Sequence, residues 1–149
     1  MQCALALEHI HALGYAHRDL KAENVVFADE TMEHVKLLDF GSSAAITPDG
    51  LRGLVATAHY CAPEVARAAG YAVAADACDD APYTQACDLW SLGCLLYLML
   101  SRRLPFAATK DAGDDDDDDE AVLRRVAAAH FEFRPAAAWR TVSSEAHDL

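Results

Sequence analysis

The sequence predicts an α+β chain that is mainly helical and carries one short β-hairpin. Three stretches support this. In residues 2–13, Leu7, Ile10 and Leu13 recur at helical spacing, and Gly14 supplies a C-terminal stop. Two apolar runs, 25–27 and 35–38, flank the polar, turn-like residues 28–34, the pattern of an antiparallel hairpin. The most apolar run, 89–100, is interrupted by Ser91 and Gly93; it is too short to span a bilayer and reads as a buried core helix.

The other elements follow in order. Residues 42–62 carry Pro48, Gly50 and Gly53 and no strong periodicity, as a mobile loop does. Residues 65–69 finish a short helix capped by Gly70, and 71–82 form an alanine- and aspartate-rich insertion loop. Asp88 opens the buried helix at its N-cap, the helix runs to about Arg102, and Leu104-Pro105-Phe106 stops it. An acidic low-complexity insertion occupies 111–120. Its run from Asp114 to Glu120 reads as solvated chain that favours the N-terminus of the next helix, 121–130. The other reading of that run is a docking surface for basic substrates. It lacks the interleaved glycine and closing glutamate of a calcium loop. Ser143 is placed as an N-cap, with Ala146 where Glu or Gln would complete a capping box; the helix it starts has no room to form before Leu149.

A chain of 149 residues allows one domain. The net charge is −12, but seven negatives lie in the run 114–120, which leaves the rest at roughly −5. That balance argues against a nucleic-acid surface or an anionic membrane surface. The five cysteines show no C-x-x-C pair, so reduced thiols in a cytoplasmic protein are expected in place of a zinc site or a disulfide framework. The N-terminus lacks a basic region before an apolar one, so no signal peptide is expected.

The chemistry is concentrated in His17-Arg18-Asp19-Leu20-Lys21-Ala22-Glu23-Asn24. Asp19 can accept a proton from a hydroxyl, Lys21 can neutralise charge on a transferring phosphoryl group, and Asn24 offers a hard oxygen to Mg²⁺. Asp39-Phe40-Gly41 follows the second apolar run. In an antiparallel pair the start of one strand lies beside the end of the other, about 4.8 Å away. Asn24 and Asp39 therefore meet at one end of the hairpin, where they can share a magnesium ion held on nucleotide phosphates.

The first of these motifs resembles the H-R-D-L-K-x-E-N catalytic loop of protein kinases, and the second resembles their D-F-G. Three more stretches agree in order. Thr57-Ala58-His59-Tyr60-Cys61-Ala62-Pro63-Glu64 resembles G-T-x-x-Y-x-A-P-E, and Asp88-Leu89-Trp90-Ser91-Leu92-Gly93 resembles D-x-W-S-x-G. Phe131-Glu132-Phe133, Trp139 and 142–149 are similar to the calcium/calmodulin-dependent group. Lys21 is the residue type of Ser/Thr kinases. The resemblance implies a partial kinase domain over 1–149: a C-lobe fragment with the N-lobe absent and the C-terminal end missing. Upstream, the Gly-rich phosphate loop, the strand lysine, its acidic partner and the adenine hinge are missing, as from a truncated or wrongly bounded gene.

The implied reaction is transfer of the ATP γ-phosphoryl group to a protein hydroxyl. Asp19, Lys21, Asn24 and Thr57 would be catalytic; Lys21, Glu23, Asn24, Val26 and Asp39 would bind the nucleotide; Asn24 and Asp39 would hold Mg²⁺. Val26 would touch adenine, and His17 and Phe40 would stack. In the family the aspartate at Asp88 also anchors the catalytic-loop backbone. Arg18 would reach a phosphorylated side chain on the following loop, or form a salt bridge within its own loop. Four departures stand out. Ala22 replaces the usual proline, and Ala56 replaces a glycine. Gly53 takes the place of an activating phospho-threonine, with only Ser42, Ser43 and Thr47 as remaining sites. Glu64 would lack its buried arginine, at a cost of about 3–5 kcal/mol. Two readings follow: a fragment of an active Ser/Thr kinase, or a catalytically incapable short product that acts as a binding or scaffold module. The isolated 149 residues are expected to transfer no phosphoryl group. Calmodulin-type regulation would depend on residues past Leu149.

Overall fold

The computed structural model describes residues 1–71, 80–108 and 118–147. Helix α1 (Gln2–Ala12) ends as the sequence predicts: Gly14 follows with φ of 83° and donates its N–H to His11 O. The expected hairpin forms from β2 (Val25–Phe27) and β3 (Val35–Leu37), antiparallel, with Val25 opposite Leu37. A second pair, β1 (Tyr15–Ala16) with β4 (Ala44–Ala45), ties the loop after the hairpin back to the end of α1. Two-residue strands carry no periodicity, so nothing in the sequence announces this pair.

The core gathers around α3 (Ala86–Ser101). Cys94 and Leu95 of α3 pack in one buried cluster with Tyr60, Cys61 and Val65, and with Val122 and Val126 of α4 (Asp119–Ala128). The helix α2 (Pro63–Ala66) continues through a wider turn over Arg67–Tyr71, which Gly70 closes with φ of 87°. Short helices α5 (Ala136–Trp139) and α6 (Ser144–His147) are the last elements among the described residues. Tyr97, Phe133 and Trp139 form an aromatic cluster where α3 meets the C-terminal segment.

Four expectations need correction. Helix α3 starts at Ala86, so Asp88 lies in its first turn and is fully buried; it is not the N-cap. The helix is also not buried all round, because Leu89 and Met99 are more than half exposed. Glu64 is exposed, so the penalty for a buried, unpartnered carboxylate does not arise. Ser143 does cap a helix, through its Oγ and Ala146 N, and one turn of that helix forms.

Of the acidic insertion, only residues 118–120 are described. Asp118 accepts the N–H of Ala121, and Asp119 and Glu120 fill the first turn of α4, as the helix dipole favours. Most of the 71–82 insertion lies outside the described residues. Among the described residues, no helix is long and apolar enough to cross a membrane.

Candidate active site

The segment 17–24 cannot hold its shape alone, because Arg18 sits at φ of 67°, a region that costs a non-glycine residue energy. Asp88 supplies the restraint. Its carboxylate accepts the N–H of His17 at 2.8 Å and of Arg18 at 2.7 Å, and it meets His11 Nε2 at 2.7 Å. The anchoring that the resemblance implied is therefore present, and His11 is a third partner that sequence reasoning missed. Nothing marks His11 in the sequence; its contact spans 77 positions.

His17 is fully buried. Its Nδ1 accepts the Asp19 N–H, which leaves Nε2 as the donor to Leu38 O at 3.0 Å. Its ring meets the half-exposed Phe40 at 5.0 Å between centroids, tilted by 55°. The end of the hairpin is thereby stitched to the loop that precedes it.

Asp19 is the hub. Thr57 donates to Asp19 Oδ1 through both its hydroxyl, at 2.7 Å, and its backbone N–H, at 3.2 Å. Lys21 Nζ donates to Asp19 Oδ2 at 2.8 Å and to Thr57 Oγ1 at 2.9 Å. The Asn24 amide donates to Asp19 O at 2.8 Å. Burial alone would raise the Asp19 carboxyl. The bond from Lys21, reinforced by Thr57 and by the Lys21 charge, outweighs it and holds Asp19 below its ordinary 3.8. Lys21 is held above its ordinary 10.5, chiefly by the bond to Asp19; burial opposes this, and the charges of Asp19, Glu23 and Asp39 add to it.

Asn24 is buried at the end of a 3₁₀ turn over Ala22–Asn24. Its carbonyl accepts the Leu38 N–H at 2.8 Å, and so the hairpin brings Asn24 beside the start of Asp39-Phe40-Gly41. Asp39 is exposed at φ of 59°, and its Oδ1 accepts the Gly41 N–H. The Asn24 amide nitrogen is committed to Asp19 O, so its oxygen is the acceptor that remains; one Asp39 oxygen is likewise outside the turn bond. Hard oxygens of this kind suit Mg²⁺. Among the described residues no cluster of three or more His, Cys, Asp or Glu side chains forms a metal site. Glu23 is exposed beside Lys21, and Val26 is half-buried on β2.

Comparison with known proteins agrees with this geometry. The protein kinase domain family matches residues 1–149. Ribosomal protein S6 kinase 2 alpha of Xenopus laevis is 36% identical over 96% of the chain, and MAP kinase-activated protein kinase 5 of Homo sapiens is 37% identical over 99%. Serine/threonine-protein kinase D3 of Mus musculus is 35% identical over 99%. The chain spans 18%, 32% and 14% of these relatives' own lengths. The relatives are kinases of more than one kind, and one is named a serine/threonine-protein kinase. With its sequence matched from end to end and its Asp19–Lys21–Thr57 cluster assembled, the chain belongs to the protein kinase domain family.

Proposed function

We propose that the chain is the C-lobe part of a Ser/Thr protein kinase domain, akin to the calcium/calmodulin-dependent group, and that it serves phosphoryl transfer from ATP to protein hydroxyls. The observation that carries this is the Asp19 carboxylate held jointly by Lys21 and Thr57. Asp19 orients the acceptor hydroxyl and takes its proton. Thr57 fixes one carboxylate oxygen, and Lys21, already bridging Asp19 and Thr57, sets a positive charge beside the place where the phosphoryl group passes. Asn24 and Asp39 are the residues that would hold Mg²⁺, which when bound neutralises phosphate charge. Val26 contributes an apolar surface to the nucleotide, and Glu23 adds negative charge at the same end of the hairpin.

The full set of Asp19, Lys21, Asn24 and Asp39 favours catalysis over a scaffold role, since a pure binding module has no need of it. Magnesium-dependent transfer from ATP to serine or threonine of protein substrates, by the native polypeptide that carries this chain, tests the reading. Asp19→Ala is expected to lower the rate about 10²–10⁴-fold. Transfer that Asp19→Ala leaves unchanged would overturn it.

A further inference from the structure

We propose that Tyr83 is a positioning residue that, together with Arg18, clamps the loop after Asp39 into its ordered conformation without phosphorylation. This builds on the kinase reading, in which that loop carries Thr57 to Asp19.

Arg18 is already occupied. Its Nε donates to Ser42 O at 2.7 Å, and its Nη1 lies 3.3 Å from Arg52 O and 3.4 Å from the Tyr83 hydroxyl. The arginine thus reaches the start and the middle of the loop through backbone carbonyls, where a phosphate would otherwise be its partner. Tyr83 completes the clamp. Its side chain is almost fully buried, and its hydroxyl donates to Gly53 O at 3.0 Å. Gly53 has no hydroxyl to modify, and the tyrosine binds the carbonyl at that very position.

The backbone reinforces the contact. Leu51 and Tyr83 exchange both N–H···O bonds, at 2.8 and 2.9 Å, in an isolated antiparallel bridge. Two further hydroxyls of the loop bond locally: Ser43 Oγ to Phe40 O, and Thr47 Oγ1 to Gly50 O at 3.2 Å. Residues 51–53 are therefore held by Tyr83 at Leu51 and Gly53 and by Arg18 at Arg52. Four residues beyond Gly53, the chain delivers Thr57 onto Asp19.

The test is amide hydrogen exchange on the full native polypeptide, read in residues 51–55 with α3 as internal reference. It needs no phosphoryl transfer, so loss of the kinase reading and loss of this proposal are separable. Tyr83→Phe keeps the ring and removes the hydroxyl; it is expected to speed exchange at 51–55 about 5- to 30-fold while α3 stays as it was. Arg18→Lys is expected to act on the same residues, and the double variant to exchange no faster than the faster single one. Phosphatase treatment is expected to change nothing there. Unchanged exchange in Tyr83→Phe would overturn the proposal. So would an equal rise across α3, effects of the two variants that multiply, or loosening of 51–55 by phosphatase.

Discussion

Asp88 holds the backbone of Arg18, seventy positions earlier, through a 2.7 Å bond from the Arg18 N–H to Oδ1. The loop over 17–24 owes its left-handed residue to a helix that the chain has not yet made when the loop is synthesised. Asp88→Ala leaves the N–H groups of His17 and Arg18 buried without an acceptor, and each such group costs about 1–3 kcal/mol. The expected loss is about 3–5 kcal/mol in urea unfolding. Asp88→Asn keeps one acceptor oxygen and is expected to lose less.

The Asp19–Lys21 pair makes a pH prediction. The Asp19 carboxyl is depressed in the fold, so its contribution is present above its unfolded value near 3.8 and is lost as pH falls through the lower folded value. Lys21 is raised, so its contribution is present below 10.5 and is lost as pH rises through the higher folded value. Lys21→Met is expected to cost about 1–2 kcal/mol at neutral pH. That difference should be flat between pH 5 and pH 9 and shrink below about pH 4, as read by denaturant unfolding across the range.

Three thiols should be inert. Burial pushes Cys61, Cys87 and Cys94 up to about 12, so at pH 8 only about one in 10⁴ is a thiolate. Cys3 is only half-buried. Iodoacetamide at pH 8 followed by peptide mapping is expected to modify Cys3 in the native protein, and Cys61, Cys87 and Cys94 only after denaturation; Cys78 lies outside the described residues.

Two glycines with the same backbone should respond differently. Gly14 and Gly50 have φ of 83° and 79°. A Cβ on Gly14 meets nothing within 4 Å, so Gly14→Ala is expected to cost about 1 kcal/mol from backbone strain alone. A Cβ on Gly50 would lie 2.7 Å from Pro82 Cβ and 3.1 Å from Tyr83 O. Gly50→Ala must push 50–53 off 82–83 and is expected to cost about 2–4 kcal/mol in thermal unfolding.

Much of the site was legible because it is local. Asp19, Lys21 and Asn24 lie within six positions, and the alternation of apolar runs and turn residues was enough to predict the hairpin that sets Asn24 beside the start of Asp39-Phe40-Gly41. Helix α1 and its glycine stop were equally readable. Other features were misplaced for the opposite reason. Asp88 looks like a cap because aspartates begin helices, but it is claimed by two distant N–H groups, and α3 starts two residues earlier at Ala86. Glu64 was expected to carry the cost of a buried, unpartnered carboxylate, but in this chain it is exposed in the first turn of α2.

The sequence by itself determined the polar groups of the candidate site, their order and the short-range geometry of the 17–24 loop and the hairpin. These follow from strand and helix periods that repeat within a few residues. Only the tertiary structure decided what holds those groups still: His11 and Asp88 under the loop, β1 against β4, and Tyr83 with Arg18 around 51–53. Each of these joins residues about thirty to eighty positions apart by a few hydrogen bonds or a two-residue ladder. Such contacts leave no periodic trace in a sequence; they exist because burial around α3 brings their partners together and leaves each buried polar group in need of one.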